Sequence, residues 1–227
     1  MSGAGYDATA RLQAYNLLLA PMLRLPDEVF LAQLTSEEFA GVLHAIGEAV
    51  PIPLMAEGLA LIKRYTERLA AARNDAEAYD AMVEDLACDR TYLFRALAPD
   101  VGAPPPYETQ YCDLRSKEAG IGAVAEAYRQ AGMEVGDDVH ERPDYLGVEL
   151  AFMAHLIECE LAVEAAEEIA ALREAQAAFY GDHLGRWASD YVQDALSHAR
   201  TDFFLGLLMV GQALLEREDA HLRTDDL

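Results

Sequence analysis

Residues 141–161, ERPDYLGVELAFMAHLIECEL, decide the fold class of this chain. The segment opens on charge and a proline and then runs unbroken into an apolar pattern. Leu146, Leu150, Met153, Ile157 and Leu161 recur at steps of three and four, the stripe of one helix face. Pro143 fits a first helical position, where a missing N–H is harmless, and Asp144 beside it complements the positive end of a helix dipole. Glu149 falls inside the apolar stripe. Either it sits at the edge and reaches water, or it is a polar anchor fixing the loop before the helix, because an unpaired carboxylate on a core-facing arc is costly to desolvate.

The same helical spacing extends outward through the chain. It predicts helices over 6–19, ended by Pro21, over 26–34, over 35–50 behind the cap Thr35-Ser36-Glu37-Glu38, and over 54–72 after Pro51 and Pro53. Asn74-Asp75 caps a further helix carrying Met82, Leu86, Leu93, Phe94 and Leu97 on one side. Others are expected over 118–132, 182–199 and 202–217, with a fraying polar tail beyond. Pro99, Gly102 and Pro104-Pro105-Pro106 predict a loop that cannot be helical, and Gly136-Asp137-Asp138 a polar turn. No alternating run of β-branched residues occurs, so the chain reads as all-α. Helices on both sides of the loop are amphipathic. One bundle of about ten helices over 1–227 is therefore expected, with a structured loop at 99–117 linking two halves.

Lys+Arg 17 against Asp+Glu 40 gives a formal charge of -23. Such a surface repels phosphate backbones and anionic lipid, so nucleic acid and stable membrane association are excluded as partners, while a basic segment is attracted. The charge could equally serve solubility alone. Hydrophobic residues at 52% rule out a disordered polymer. Cys88, Cys112 and Cys159 form no CxxC pair, which argues for a reducing compartment without disulfide or zinc. The first residues lack a basic start followed by an apolar core, and the apolar run at 203–215 is broken by Gly206, Gly211 and Gln212. A cytoplasmic protein is expected.

Catalytic signatures are weak. Gly120-Ile121-Gly122-Ala123-Val124-Ala125 matches a dinucleotide fingerprint as a string, but no strand precedes it, and small residues for close helix packing explain it better. Glu218-Asp219-Ala220-His221 has di-iron spacing yet stands alone in the polar tail. His44, His140, His155, His183, His198 and His221 are scattered, with His155 solvated or interfacial, and Cys88 and Cys159 suit inert packing. The expectation is no enzyme, no metal and no cofactor. The alternatives are a helical enzyme with a cysteine or carboxylate site, or a binding protein regulated by guanine nucleotide.

Two segments are more specific. Leu93-Phe94 followed by Pro105-Pro106-Tyr107-Glu108-Thr109-Gln110-Tyr111, and then Glu141-Arg142-Pro143-Asp144-Tyr145 with Val148-Glu149-Leu150-Ala151-Phe152-Met153, resemble the TorD/DmsD/NarJ family of molybdoenzyme maturation chaperones. The Tyr-Glu-Thr loop and Arg142 look closest to the branch serving dimethyl sulfide, selenate, chlorate or ethylbenzene oxidoreductases. The resemblance implies an all-helical, TorD-like chaperone, monomeric or dimeric. It would bind the leader, often twin-arginine, or the apo catalytic subunit of a molybdopterin oxidoreductase of the DMSO-reductase type until cofactor insertion. It further implies client contact by Leu93, Phe94, Pro106, Tyr107, Glu108, Tyr111, Glu141, Asp144, Tyr145 and Glu149. Glu108, Glu141, Asp144 and Glu149 would form an acidic rim, and Leu93, Phe94, Tyr107 and Tyr111 an apolar groove, although periodicity alone favours Leu93 and Phe94 as ordinary core, and Glu108 and Asp144 equally suit helix or loop caps. Asp144→Ala is expected to weaken client binding more than stability. Tyr145 stands where the family has histidine, which keeps an aromatic hydrogen-bonding group but loses a cation near neutral pH.

Overall fold

The helix caps legible in the sequence are used in the computed structural model, which describes residues 6–95, 103–112, 117–133 and 141–224. Leu97, Pro99, Gly102, His140 and the turn at 136–138 lie outside the described residues. Asp7 accepts from Ala10 N and opens α1 (Ala8–Leu23); Asp27 accepts from Phe30 N at 2.7 Å and opens α2 (Glu28–Leu34). Ser36 caps α3 (Glu37–Ala49), Pro53 starts α4 (Pro53–Ala72), and Asp75 caps α5 (Ala76–Phe94). Then come α6 (Glu108–Tyr111), α7 (Lys117–Gln130), α8 (Leu146–Ala162), α9 (Ala166–Asp182), a 3-10 turn (Leu184–Arg186), α10 (Ala188–Leu196) and α11 (Asp202–Thr224). No strand occurs among the described residues, only one antiparallel bridge, so the all-α expectation is borne out. No described helix is long and apolar enough to cross a membrane.

Four local expectations are corrected. Pro21 does not end α1, which runs on to Leu23; the carbonyls of Pro21 and Met22 are taken by the buried Arg90 guanidinium at 3.0 and 2.6 Å, so the last turn is satisfied from α5. Pro143 does not start α8. The helix begins at Leu146, because residues before it pair as extended backbone with the proline-rich loop. The span at 182–199 is not one helix but the end of α9, the 3-10 turn and α10, and α9 itself carries too many alanines to show a clear apolar period. Finally, α11 runs to Thr224 with Glu218 buried, so the tail beyond 217 is helical there.

The chain folds into two compact units. Met1–Pro105 with Val192–Leu214 forms one. Its core gathers Tyr15, Ile46, Met55, Ile62, Leu69, Leu86, Leu93 and Phe94 with Phe203 and Phe204 of α11. Thr201 Oγ1 caps α11 by accepting from Phe204 N at 3.3 Å, and buried Asp89 of α5 holds that cap in place, accepting from Arg200 N, Thr201 N and Thr201 Oγ1. Helices α4 and α11 cross at Gly58 and Gly206, where a Cβ on Gly58 would meet Gly206 O at 2.7 Å. The second unit is Pro106–Tyr191 with Leu215–Leu227. Its core packs Tyr128, Phe152 and Phe179, with ring centroids 4.6 to 5.7 Å apart, and Tyr180 Oη donates to Leu215 O at 2.7 Å.

Alanine is intrinsically about 1 kcal/mol better than glycine inside a helix. At the α4–α11 crossing, overpacking against backbone should reverse that sign. Gly206→Ala is expected to lower the free energy of unfolding by about 1–3 kcal/mol. Gly41→Ala, where a Cβ meets nothing within 4 Å, should raise it by about 0.5–1 kcal/mol. Urea titration of both variants checks this.

Candidate functional site

Within the second unit, two proline-containing segments are laced side by side. Pro105 and Pro106 hold the first extended and offer no N–H, so pairing passes through the Pro106 carbonyl and the Glu108 amide. Glu108 N donates to Asp144 O at 2.9 Å and Leu146 N to Pro106 O at 2.9 Å, an antiparallel bridge centred on Tyr107 and Tyr145. Asp144 is fully buried and ties the segments a second time. Its Oδ2 accepts from Thr109 Oγ1 at 2.7 Å and from Thr109 N at 3.3 Å, while Arg142 Nε and Nη2 donate to Oδ1 and Oδ2 at 2.9 and 2.6 Å. Arg142 Nη2 also donates to Thr109 Oγ1 at 2.7 Å. The same guanidinium lies over the Tyr107 ring, 4.4 Å from its centroid, and Tyr107 Oη donates to Glu141 Oε2 at 3.2 Å. Tyr128 Oη donates to Pro143 O at 2.8 Å and pins the turn from α7.

Beneath this clasp lie two further buried carboxyls. Glu108 Oε2 is 3.1 Å from His183 Nδ1 at the end of α9. Glu149 Oε2 accepts from Trp187 Nε1 at 3.1 Å, and its other oxygen has no partner among the described residues. Burial first, then the negative charge of Glu108, pushes the Glu149 carboxyl well above the usual carboxylate range; the Trp187 hydrogen bond opposes the shift. Glu149 therefore neither reaches water nor anchors the loop before α8. It holds the indole of Trp187, against which Tyr111 stacks with centroids 5.8 Å apart.

Pro106, Tyr107, Glu108, Tyr111, Glu141, Asp144, Tyr145 and Glu149 are thus brought into one region. Leu93 and Phe94 belong to the core of the first unit, where Phe94 meets Phe204 edge-on. The expected acidic rim is largely internal. Glu108, Asp144 and Glu149 are buried, because each has a partner or a neutral form that removes the desolvation penalty, and Glu141 alone of the four is half-exposed. Tyr145 is buried against the Tyr107 ring rather than facing solvent. Sequence reasoning missed Thr109, His183 and Trp187. His183 stands 75 positions from Glu108, and no local pattern marks such a pair.

Other candidate chemistry finds little support. Burial and then the nearby Glu108 raise the Cys112 thiol, which lowers its thiolate fraction and its nucleophilicity. Cys88 is exposed rather than packed, and the half-buried Cys159 lies 3.4 Å from the half-buried His155 one turn away on α8. The dinucleotide-like string lies inside α7. Gly120 is buried, while Gly122 has open space around it, so close packing accounts for the first glycine only.

Comparison with known proteins places the chain. The family model described as nitrate reductase delta subunit matches residues 53–193. Proteins named chaperone protein TorD from Salmonella paratyphi B, Salmonella newport and Salmonella schwarzengrund are each 31% identical over 142 residues, 63% of this chain. The match spans 60% of those relatives' own length. The resemblance read from the two motifs is borne out on this broader basis.

The burial of Asp144 reverses the expectation that its loss mainly weakens binding. Asp144→Ala strands Arg142 and Thr109 and is expected to lower stability by about 3 kcal/mol, the low end for a broken buried pair because the Arg142 side chain is 39% exposed. Guanidinium unfolding measures it. For Glu149, an unfolded glutamate ionises near pH ~4.3 whereas the folded one ionises higher, so stability is full below that pH and is lost as pH rises toward the folded ionisation. Glu149→Gln should match the parent chain near pH 4. It should then gain about 1.4 kcal/mol per pH unit over the parent chain until the folded group ionises. A difference that stays constant from pH 4 to pH 8 would contradict this.

Proposed function

The chain belongs to the nitrate reductase delta subunit family, and from that premise we propose that it is a cytoplasmic, non-catalytic maturation chaperone. Its client is the apo catalytic subunit of a molybdopterin oxidoreductase of the DMSO-reductase type, held with its basic N-terminal leader until the cofactor is inserted and before export or assembly. The chaperone itself carries no cofactor and acts as a monomer or dimer. The name carried by the relatives supports the reading, and the observation that bears most of its weight is the clasp joining 106–111 to 141–146.

A surface that recognises a polypeptide needs a few amphipathic side chains held rigidly, so that little entropy is lost on binding. Tyr107, Tyr111 and Glu141 are half-exposed beside the Asp144–Arg142–Thr109 network and the Glu108–His183 pair, whose carboxyl groups are buried. On this reading the tyrosines take apolar residues of the client, and Glu141 takes one of its arginines through charge-assisted hydrogen bonds. Glu108, Asp144, Tyr145 and Glu149 act as positioning residues underneath. The apolar share that the resemblance assigns to Leu93 and Phe94 passes to Tyr107 and Tyr111, because Leu93 and Phe94 are closed off in a core.

The test is capture of the client by tagged chain from its native host, grown anaerobically with cofactor synthesis blocked. A cofactor-free molybdopterin oxidoreductase subunit should co-purify and be identified by mass spectrometry. Tyr107→Ala with Glu141→Lys should reduce its recovery about tenfold, the equivalent of 1.4 kcal/mol. Glu168→Lys, the same charge change on exposed α9, should leave recovery unchanged. No such subunit in a host that expresses one overturns the reading, and equal losses from both variants would move recognition away from the clasp.

A further inference from the structure

Glu149, in the first turn of α8, is wholly out of solvent, with Trp187 Nε1 donating to one oxygen and no partner for the other among the described residues. A neutral carboxyl tolerates that setting. An ionised one does not, because a buried carboxylate needs several donors to offset the loss of water. The groups that face it do not supply them. Glu108 from α6 and Asp144 from the segment before α8 both act on Glu149 as negative charges. The nearby cations are committed elsewhere, Arg142 to Asp144 and His183 Nδ1 to Glu108. Burial keeps the Tyr128 phenol of α7 and the Cys112 thiol un-ionised, and Arg186 and Asp190 act on Cys112 in opposite senses.

The element most easily displaced from this cluster is α6. It has four residues and no side-chain cap, far short of the ~12–15 residues at which a helix is stable alone. Its N-terminal end is tied into the clasp by Asp144. Its C-terminal end rests on rings. Tyr111 stacks on Trp187 and meets Tyr191 edge-on, with centroids 5.8 and 6.0 Å apart. Trp187 is therefore shared, its N–H held by Glu149 and its ring stacked by Tyr111. Glu149 binds its proton more tightly in this closed arrangement than where water reaches the carboxyl. By linkage, raising the pH favours the opened arrangement.

We propose that Glu149 is a proton-operated latch on Tyr111. Neutral, it keeps Trp187 in place against the Tyr111 ring. Ionised, it draws water in, the C-terminal end of α6 opens, and Tyr111 leaves Trp187. Local opening of a short, weakly held element is the motion that costs least. The surface then holds its client at lower pH and releases it as the pH rises. The inference rests on the chaperone reading for what Tyr111 contacts, whereas the latch is a property of the folded chain alone.

Trp187 is the single tryptophan of the chain, so its emission reports the latch directly. In the full chain titrated from pH 4 to pH 9, acrylamide quenching of Trp187 is expected to rise severalfold through one transition, with helical circular dichroism unchanged. Glu149→Gln keeps an acceptor for the indole but cannot ionise, and should abolish the transition. Glu108→Gln removes a neighbouring negative charge and should move the transition down by about one pH unit, a tenfold loss of proton affinity. A transition that survives Glu149→Gln, that coincides with loss of helix, or that is absent below pH 9 overturns the latch. Should Glu149→Gln fail to fold, an unmoved transition in Glu108→Gln overturns it instead. The link to recognition is read on the captured subunit. A pH step across the transition should elute it from the immobilised parent chain severalfold faster than from Glu149→Gln, and equal elution overturns the release role. Failure of the chaperone reading is seen separately, as no subunit captured at any pH, and leaves the quenching transition to decide the latch.

Discussion

The carboxylate of Asp144 is the interaction on which the candidate site depends. A fully buried ion of this kind is tolerable only when its oxygens are satisfied, and here two guanidinium N–H groups, a hydroxyl and a backbone amide converge on it. Those donors come from a segment 35 residues away and from the residue two positions before it, so the same charge that needs them also fixes which parts of the chain lie together. The backbone bridge between Tyr107 and Tyr145 adds only a few hydrogen bonds and would be marginal alone. The carboxylate sets the register, and the half-exposed Tyr107 and Glu141 inherit their positions from it.

Three buried carboxyls sit in one region, and each is tolerated by a different means. Asp144 is paired with Arg142, Glu108 is partnered by His183, and Glu149 is held toward its neutral form by burial and by the charge of Glu108. Three like charges at close quarters would repel strongly in a medium of low dielectric. Neutralising one and pairing the others removes most of that repulsion. It also means that the acidity of this region is spent on internal order, not displayed. A basic segment brought to this surface, as proposed, would meet aromatic rings and one carboxylate rather than an acidic trench.

Much of the fold was legible because its signals are local. Asp27, Ser36 and Asp75 are hydroxyl or carboxylate caps placed just before apolar periods, and all three accept from an amide three residues on. What failed depended on distant partners. Pro21 looked like a terminator because nothing in its neighbourhood announces Arg90, 69 positions away, as the donor for its carbonyl. Pro143 and Asp144 spell a helix start, and the reading was reasonable until Thr109 and Arg142 claimed the carboxylate. Helix α9 escaped because alanine contributes to helix propensity without marking a buried face. The fold brings the acidic residues of the motif into one region, but their burial is not readable in the sequence, since Glu149 on an apolar stripe is equally consistent with an edge position until Trp187 is seen beneath it.

A net charge of -23 favours encounter with basic segments from a distance, but long-range attraction is screened within about 8–10 Å at physiological salt and does not choose among them. Selection has to come from desolvated contacts. On the proposed reading those are, in the second unit, the rings of Tyr107 and Tyr111, each braced by a neighbour, Arg142 in one case and Trp187 in the other. Because Trp187 is itself held by Glu149, and Arg142 by Asp144, the buried carboxyls would, on the proposed reading, act on recognition indirectly, by limiting how far the half-exposed rings can turn. Stability and specificity in this region therefore draw on the same few hydrogen bonds. A change that leaves the fold intact but loosens either brace should broaden the range of segments bound before it abolishes binding.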